Sequence, residues 1–158
     1  ILFYNDYGQD GKPKKMQAIL DLVADFKKRN VPIDGLGLQM HVNINSKNEA
    51  ILEVITKSAA TGLSIHFSEL DVAVNPKNNP DFVYDDVAKD EQLNKFLLLF
   101  NSFKSIPLGQ QYGITFWNVG DKDSWLRGYF KRPKENPLLF DDLYARKPAY
   151  KVLYQTLK

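Results

Sequence analysis

Leu63-Ser64-Ile65-His66-Phe67-Ser68-Glu69-Leu70-Asp71-Val72 reads as one β-strand that finishes in ionisable residues. Branched and aromatic side chains suit a pleated, half-buried surface. Side chains alternate along a strand, so Glu69 and Asp71 share a face. Leu70 takes the opposite face, and Phe67 is assigned with it to the side that packs under helices.

Working outward, the pattern repeats. Ala50, Ile51, Val54, Ile55 and Ala59 mark the helix before this strand, closed by Thr61-Gly62, with Gly62 suited to a left-handed position. Before that helix comes a strand predicted over Gly35 to Val42. Earlier still, a helix runs from about Pro13 to Asn30, with Met16, Ile19, Leu20, Val23 and Phe26 on one stripe. The first strand is Leu2 to Tyr7, followed by a turn at Gly8 to Gly11. Downstream, a polar loop with Pro76, Asn78, Asn79 and Pro80 is long for a plain connection. Leu93, Phe96, Leu97, Phe100 and Phe103 define the next helix, and Gly113 to Val119 the next strand. An irregular stretch, Gly120 to Arg146, precedes a last helix with Val152, Leu153 and Leu157.

Four strands alternating with four helices mean βα units and a parallel sheet. The order fits either an open doubly wound sheet or part of a barrel. Neither GxGxxG nor a P-loop is present, so a nucleotide fold lacks its fingerprint.

Composition narrows the class. The 158 residues suit one domain, with 44% hydrophobic and 25% charged side chains, the profile of a globular protein. Twenty-one basic residues nearly balance 19 acidic ones. The close groups Lys12, Lys14, Lys15 and Lys27, Lys28, Arg29 edge helices as solvated faces, which argues against nucleic acid. No apolar run approaches the ~20 residues of a membrane span. The chain opens on Ile1-Leu2-Phe3-Tyr4 and is expected to carry no signal peptide. With 0 cysteines, disulfides and thiolate metal sites are excluded. The 13% aromatic content leaves room for a sugar-stacking surface beyond the core.

In parallel βα folds, functional groups gather at the carboxyl ends of strands. Here those ends read Asn5-Asp6-Tyr7, Gln39-Met40-His41, Ser68-Glu69-Leu70-Asp71 and Thr115-Phe116-Trp117-Asn118. Gln39 pairs in parity with His41, and Thr115 with Trp117, while Met40 and Phe116 face the other way. Singly, each has a plain reading: His41 as a structural histidine, Glu69 with Asp71 as a solvated strand end, Trp117 and Trp125 as core. Their coincidence at equivalent strand ends points to a binding or catalytic site. His41 and His66 with carboxylates could in principle hold a metal, but no HxH or HExxH spacing exists. No metal and no cofactor is expected.

At these residues the chain resembles family 10 glycoside hydrolases, the endo-β-1,4-xylanases. Phe3-Tyr4-Asn5-Asp6-Tyr7, residues 31–41 (VPIDGLGLQMH) and Ser68-Glu69-Leu70-Asp71-Val72 are similar to the family's fifth, sixth and seventh strand motifs. Gly113-Ile114-Thr115-Phe116-Trp117, Asp123-Ser124-Trp125, Pro137-Leu138-Leu139-Phe140-Asp141 and Lys147-Pro148-Ala149-Tyr150 are similar to the eighth strand, its loop and the last helix. The resemblance covers nearly the whole chain, in the family's order. It implies an α/β fold, the (βα)4 half of a TIM (β/α)8 barrel, and retaining hydrolysis of internal xylosidic bonds by two glutamates.

Carried over motif by motif, the resemblance implies that Glu69 is the nucleophile. His41 is implied to hydrogen-bond Glu69, with Asp71 holding the imidazole in turn. Gln39 would contact sugar hydroxyls, Trp117 and Trp125 would line glycone subsites, Tyr7 would serve the aglycone side, and Asn5 would support them. Gly8 stands where many relatives have Asn, Ser68 where Thr is commoner, and Leu126-Arg127 follow Trp125 where many have Arg directly. The family's acid/base glutamate, in a Trp-Asp-x-Val-Asn-Glu-like segment, has no counterpart here.

A full barrel needs roughly 250 residues or more. The expectation is therefore an endo-β-1,4-xylanase fragment that supplies the nucleophile half of a xylan-degrading site and is inactive alone. Xylan or xylooligosaccharides are the expected ligands. Its parent protein is expected to be secreted, periplasmic or on the cell surface. Four parallel strands would leave two open sheet edges, so self-association or pairing with the N-terminal half of the barrel is expected. The alternative is a non-catalytic xylan-binding or scaffold fragment; an unrelated open α/β domain would require the motif matches to be chance.

Overall fold

The computed structural model describes residues 1–156. It divides into two compact units. The first comprises Ile1–Met40, Ser46–Glu69 and Ser102–Thr115. Within it, β1 (Phe3–Asp6) pairs in parallel with β2 (Gly35–Leu38), which pairs in parallel with β4 (Ser64–Ala73) over Ser64 to Phe67. On its other side β4 pairs with β5 (Gln111–Phe116). Sequential strands thus lie side by side, as βα units require.

Helix α1 (Pro13–Lys28) starts on a proline at its first turn and ends with Lys27 and Lys28, both matched to the helix termini. Its stripe Met16, Ile19 and Val23 is buried, as is Ile51, Val54 and Ile55 of α2 (Asn48–Ala59). Leu36, Leu38, Ile65 and Phe67 of the strands are buried too, all 2% exposed or less. Phe103 closes the layer, edge-on to Phe67 with ring centroids 5.2 Å apart. Gly62 takes φ +77° after α2, the left-handed turn its position predicts. Gln110 ties down the segment that follows, its amide donating to the carbonyls of Ala59 and Leu63 at 2.8 Å each.

Glycines 35 and 37 matter for what stands beside them. A Cβ on Gly35 would run into the Phe3 ring, and one on Gly37 into the Asn5 amide. Gly in a strand often marks such a close approach. Here it gives the β1 side chains room to lie over β2.

The second unit comprises His41–Asn45, Leu70–Asn101 and Phe116–Lys158. There β3 (His41–Asn43) pairs in parallel with the end of β4, His41 opposite Asp71. Helix α3 (Asp86–Ser105) contributes Phe96, Leu99 and Phe100, fully buried with Leu70, Val72 and Leu138. Phe96 and Phe100 stack at 5.5 Å, and Phe116 lies against both. The stretch before α5 (Pro148–Thr156) has two short helical turns, Asp121–Asp123 and α4 (Trp125–Gly128), and is held by buried polar links. Lys147 Nζ sits 3.0 Å from Asp121 Oδ2, both nearly inaccessible. Gln92 donates to the carbonyls of Val72 and Asn136.

Two strand expectations need correcting, and a third, Phe67 lying with Leu70, holds for a reason that alternation does not supply. The segment Gly35 to Val42 is two strands, broken at Gln39-Met40, because Met40 takes φ +56°, which no extended residue can hold. Strand β5 stops at Phe116, so Trp117 lies beyond it and its direction is not set by strand parity. Strict alternation would also put Phe67 on the face of Glu69. It does not, because Phe67 pairs with Leu38 and Asp71 with His41, so β4 advances four residues where its partner advances three. That extra residue is a β-bulge. Consecutive half-buried Ser68 and Glu69 mark it, and Phe67 and Leu70 are both fully buried. In α5, Val152 and Leu153 are half-buried; Leu157, expected in this helix, lies outside the described residues.

Candidate active site

Asn5, Tyr7, Gln39 and Glu69 belong to the first unit; His41, Asp71, Trp117 and Trp125 belong to the second.

In the first, the bulge turns Glu69 to the side already occupied by Ser68. The Asn5 amide donates to Glu69 Oε1 at 3.2 Å, while its carbonyl oxygen accepts from the Ser68 hydroxyl at 2.6 Å. Both ends of the amide are engaged, which fixes its orientation and aims the N–H at the carboxylate. Gly37 makes this possible by leaving space for Asn5. On the same side, His66 Nε2 lies 2.8 Å from the Thr115 hydroxyl, and the rings of Phe3 and Tyr112 flank the imidazole at 6.0 and 5.1 Å. Burial holds His66 below its ordinary value, favouring the neutral ring.

Tyr7 is exposed but positioned. Lys15 donates to the Tyr7 carbonyl at 2.6 Å and to Asp6 Oδ1 at 2.8 Å, and its ammonium stands 4.7 Å from the Tyr7 ring centroid. Burial pushes the Asp6 carboxyl up, yet the bonds from Lys15, the Tyr7 N–H and Tyr4 outweigh it and hold Asp6 below its ordinary value. Gln39 is half-buried and anchored through its backbone N–H, which donates to the Asp6 carbonyl at 3.0 Å.

In the second unit, Asp71 is 2% exposed and is the hub. His41 Nδ1 is 3.0 Å from Asp71 Oδ2, and the Trp125 indole donates to the same oxygen at 2.8 Å. Facing a carboxylate, Nδ1 is the donor, so the ring orientation and tautomer are set. The His41 ring lies 4.7 Å from that of Trp125 and 6.2 Å from that of Trp117. Trp117 is 41% exposed, too open for a core role. Its backbone N–H donates to the Leu70 carbonyl, fixing where the indole departs from the chain.

Sequence reasoning passed over several contributors. Ser68 read as a minor replacement, yet it holds Asn5. Glu135 is fully buried, and its Oε2 accepts from the N–H groups of Val74 and Asn75 at 2.8 and 3.1 Å. Burial raises the Glu135 carboxyl above its ordinary value, against the pull of those N–H groups. No motif flagged it; the glycines at 35 and 37 did carry a signal. Arg127 is structural: it donates to the Glu135 carbonyl, Asp142 and Asn136. No cluster that could hold a metal occurs among the described residues.

Comparisons with known proteins agree with one another. The family model Glycosyl hydrolase family 10 matches residues 1–156. An endo-β-1,4-xylanase, Xyn10C, from Cellvibrio japonicus is 35% identical over 94% of this chain and 27% of its own length. An endo-1,4-β-xylanase from Geobacillus stearothermophilus is 32% identical over 95% of this chain and 46% of its own. A mutant xylanase 10C from Cellvibrio japonicus, solved with xylopentaose, matches with TM-score 0.89 at 34% identity, covering 99% of this chain and 34% of that one. A family 10 structure from Paenibacillus barcinonensis matches at 0.88 and 33%, covering all of this chain and 47% of that one. The chain therefore spans less than half the length of these relatives, and its parallel βα units are a half-barrel of their fold. With the whole described length matched by one family model, the chain belongs to glycosyl hydrolase family 10.

Proposed function

We propose that this chain supplies the nucleophile side of a retaining endo-β-1,4-xylanase site, with Glu69 as nucleophile. The observation that supports this most directly is the Asn5 amide, locked by Ser68 and aimed at the Glu69 carboxylate. A carboxylate held by a fixed donor is oriented for attack.

In this reading a Glu69 oxygen attacks the anomeric carbon and forms a glycosyl ester as the glycosidic C–O bond breaks. The departing oxygen takes a proton from the second carboxyl of the complete barrel. Water then attacks the anomeric carbon, giving up its proton to that same group and releasing Glu69. The two carboxyls of such a pair stand about 5–5.5 Å apart. His41, its tautomer set by Asp71, serves the nucleophile; Gln39 binds sugar hydroxyls. Trp117 and Trp125 offer indole faces to the glycone side and Tyr7 to the aglycone side. Xylan or xylooligosaccharides are the ligands.

In this reading the N-terminal half of a barrel completes the site, and these residues by themselves cover their open edges by self-association and do not turn over substrate. The test is to add the first-half polypeptide and measure xylooligosaccharide release. Activity that Glu69→Ala abolishes is the expected result. A folded but inactive complex, or an active one indifferent to Glu69→Ala, refutes it, and binding without hydrolysis in that complex favours a non-catalytic xylan-binding role.

A further inference from the structure

His66 belongs to the first unit, and the reaction as read above leaves it unused. Its surroundings are ordered in layers. On β1, Phe3 and Asn5 share a face by alternation. A Cβ on Gly35 would meet the Phe3 ring and one on Gly37 the Asn5 amide, so both side chains lean across β2. On β4 they meet successive positions of one face. The Phe3 and His66 rings lie 6.0 Å apart between centroids, while Asn5 bonds Ser68 and Glu69. The aromatic layer therefore adjoins the layer that holds the nucleophile, one step of two residues along each strand.

His66 closes the aromatic layer. From β5, the Tyr112 ring lies 5.1 Å from the imidazole and 4.7 Å from Phe3, and the Thr115 hydroxyl is 2.8 Å from Nε2. The β2 residue opposite His66 in register is Gly37. Of these groups only the Tyr112 phenol titrates; along β4 itself, Glu69 follows three residues later. Burial alone holds His66 below its ordinary 6.5, with no charged neighbour acting on it. Charging the ring therefore draws water into the layer, against the Phe3 and Tyr112 rings. Asn5 is two residues from Phe3 on a strand of only four, so a displaced Phe3 carries the amide with it.

We propose that His66 is a positioning residue for the nucleophile: neutral, it keeps the Phe3–Tyr112 layer packed and Asn5 on Glu69; protonated, it loosens that layer and releases the amide. The proposal rests on the reading of Glu69 given above. It makes the orientation of the nucleophile depend on pH through a ring that bonds Thr115 rather than the carboxylate.

The test begins with nuclear magnetic resonance of the chain, following the His66 ring and the Asn5 side-chain amide from pH 8 to 5. Both should move with one midpoint, below 6.5. His66→Gln can still bond the Thr115 hydroxyl and carries no charge, so in that variant the amide should keep its high-pH position throughout. An amide that stays still while His66 titrates overturns the proposal. So does one that moves unchanged in His66→Gln, because the sequence holds just one other histidine, His41, to cause it. In the reconstituted barrel, kcat/KM of the wild type relative to His66→Gln should fall about 10-fold between pH 7 and 5, the scale of one hydrogen bond to a charged group. A ratio that stays flat overturns the positioning role. A barrel indifferent to Glu69→Ala overturns the nucleophile reading instead, and is told apart because the ring and the amide still share their midpoint.

Discussion

The Trp125 indole N–H meets Asp71 at 2.8 Å, on the same carboxylate oxygen that faces His41. A residue expected to offer only its aromatic face thus also holds the buried acid that orients the imidazole. Trp125→Phe keeps most of the ring area and removes the donor. A bond to a charged group contributes about 1.5–3 kcal/mol, so urea denaturation should show a loss of that size. A variant as stable as the wild type would mean the second donor on Asp71 contributes nothing.

Gly37→Ala should act through Asn5. The new Cβ would displace the amide that bridges Ser68 and Glu69. In a reconstituted barrel, the expected outcome is a kcat about 10- to 100-fold lower, the scale of one hydrogen bond to a charged group. Asn5→Ala should fall by a similar factor. Adding Gly37→Ala to Asn5→Ala should cost less than Gly37→Ala alone, because the amide it obstructs is already gone and only the Cβ at 3.1 Å remains to give way. Additive losses would place the effect of Gly37 elsewhere.

Lys147 and Asp121 form a buried pair, and burial pushes the carboxyl up and the ammonium down, against their mutual attraction. Removing one partner strands the other. Lys147→Met should therefore destabilise the chain by about 3–5 kcal/mol. Combined with Asp121→Asn, which keeps an acceptor for the Leu138 N–H, part of that loss should return. Thermal unfolding of the single and double variants checks both statements.

Glu135 makes a pH-dependent contribution. Its folded value is raised by burial above the ordinary 4.5. The folded state therefore binds this proton more tightly than the unfolded chain does. The associated stability is fully present below pH 4.5 and is lost as pH rises through the folded value. Glu135→Gln keeps an acceptor for the N–H groups of Val74 and Asn75 and removes the titration. The wild type should lose stability relative to this variant as pH rises from 4 to 8, measured by denaturant unfolding at each pH. A difference that stays flat, or changes in the other direction, would contradict the burial argument.

The alternation of apolar periodicities in Met16-Ile19-Val23, Ile51-Val54-Ile55 and Phe96-Phe100 sufficed to place the helices, because a helix buries whichever stripe its sequence makes apolar. The motifs around Asn5, Glu69, His41 and Trp117 likewise stood out, since strand ends crowded with polar and aromatic side chains have little structural reason to exist. Three features were decided only in three dimensions. The bulge between Phe67 and Leu70 arises from how β4 pairs with its neighbours, and no periodicity within one strand records a change of partner register. The left-handed turn at Met40 opposes the residue's own preference and is held by context. The polar links of Glu135 to Val74 and of Trp125 to Asp71 join residues 61 and 54 positions apart. Such pairings follow from the demand that buried polar groups find partners, and which partner is within reach depends on the folded path of the chain. Sequence alone named most residues of the candidate site but not the parts played by Ser68 and Glu135; the fold decided which of them hold one another.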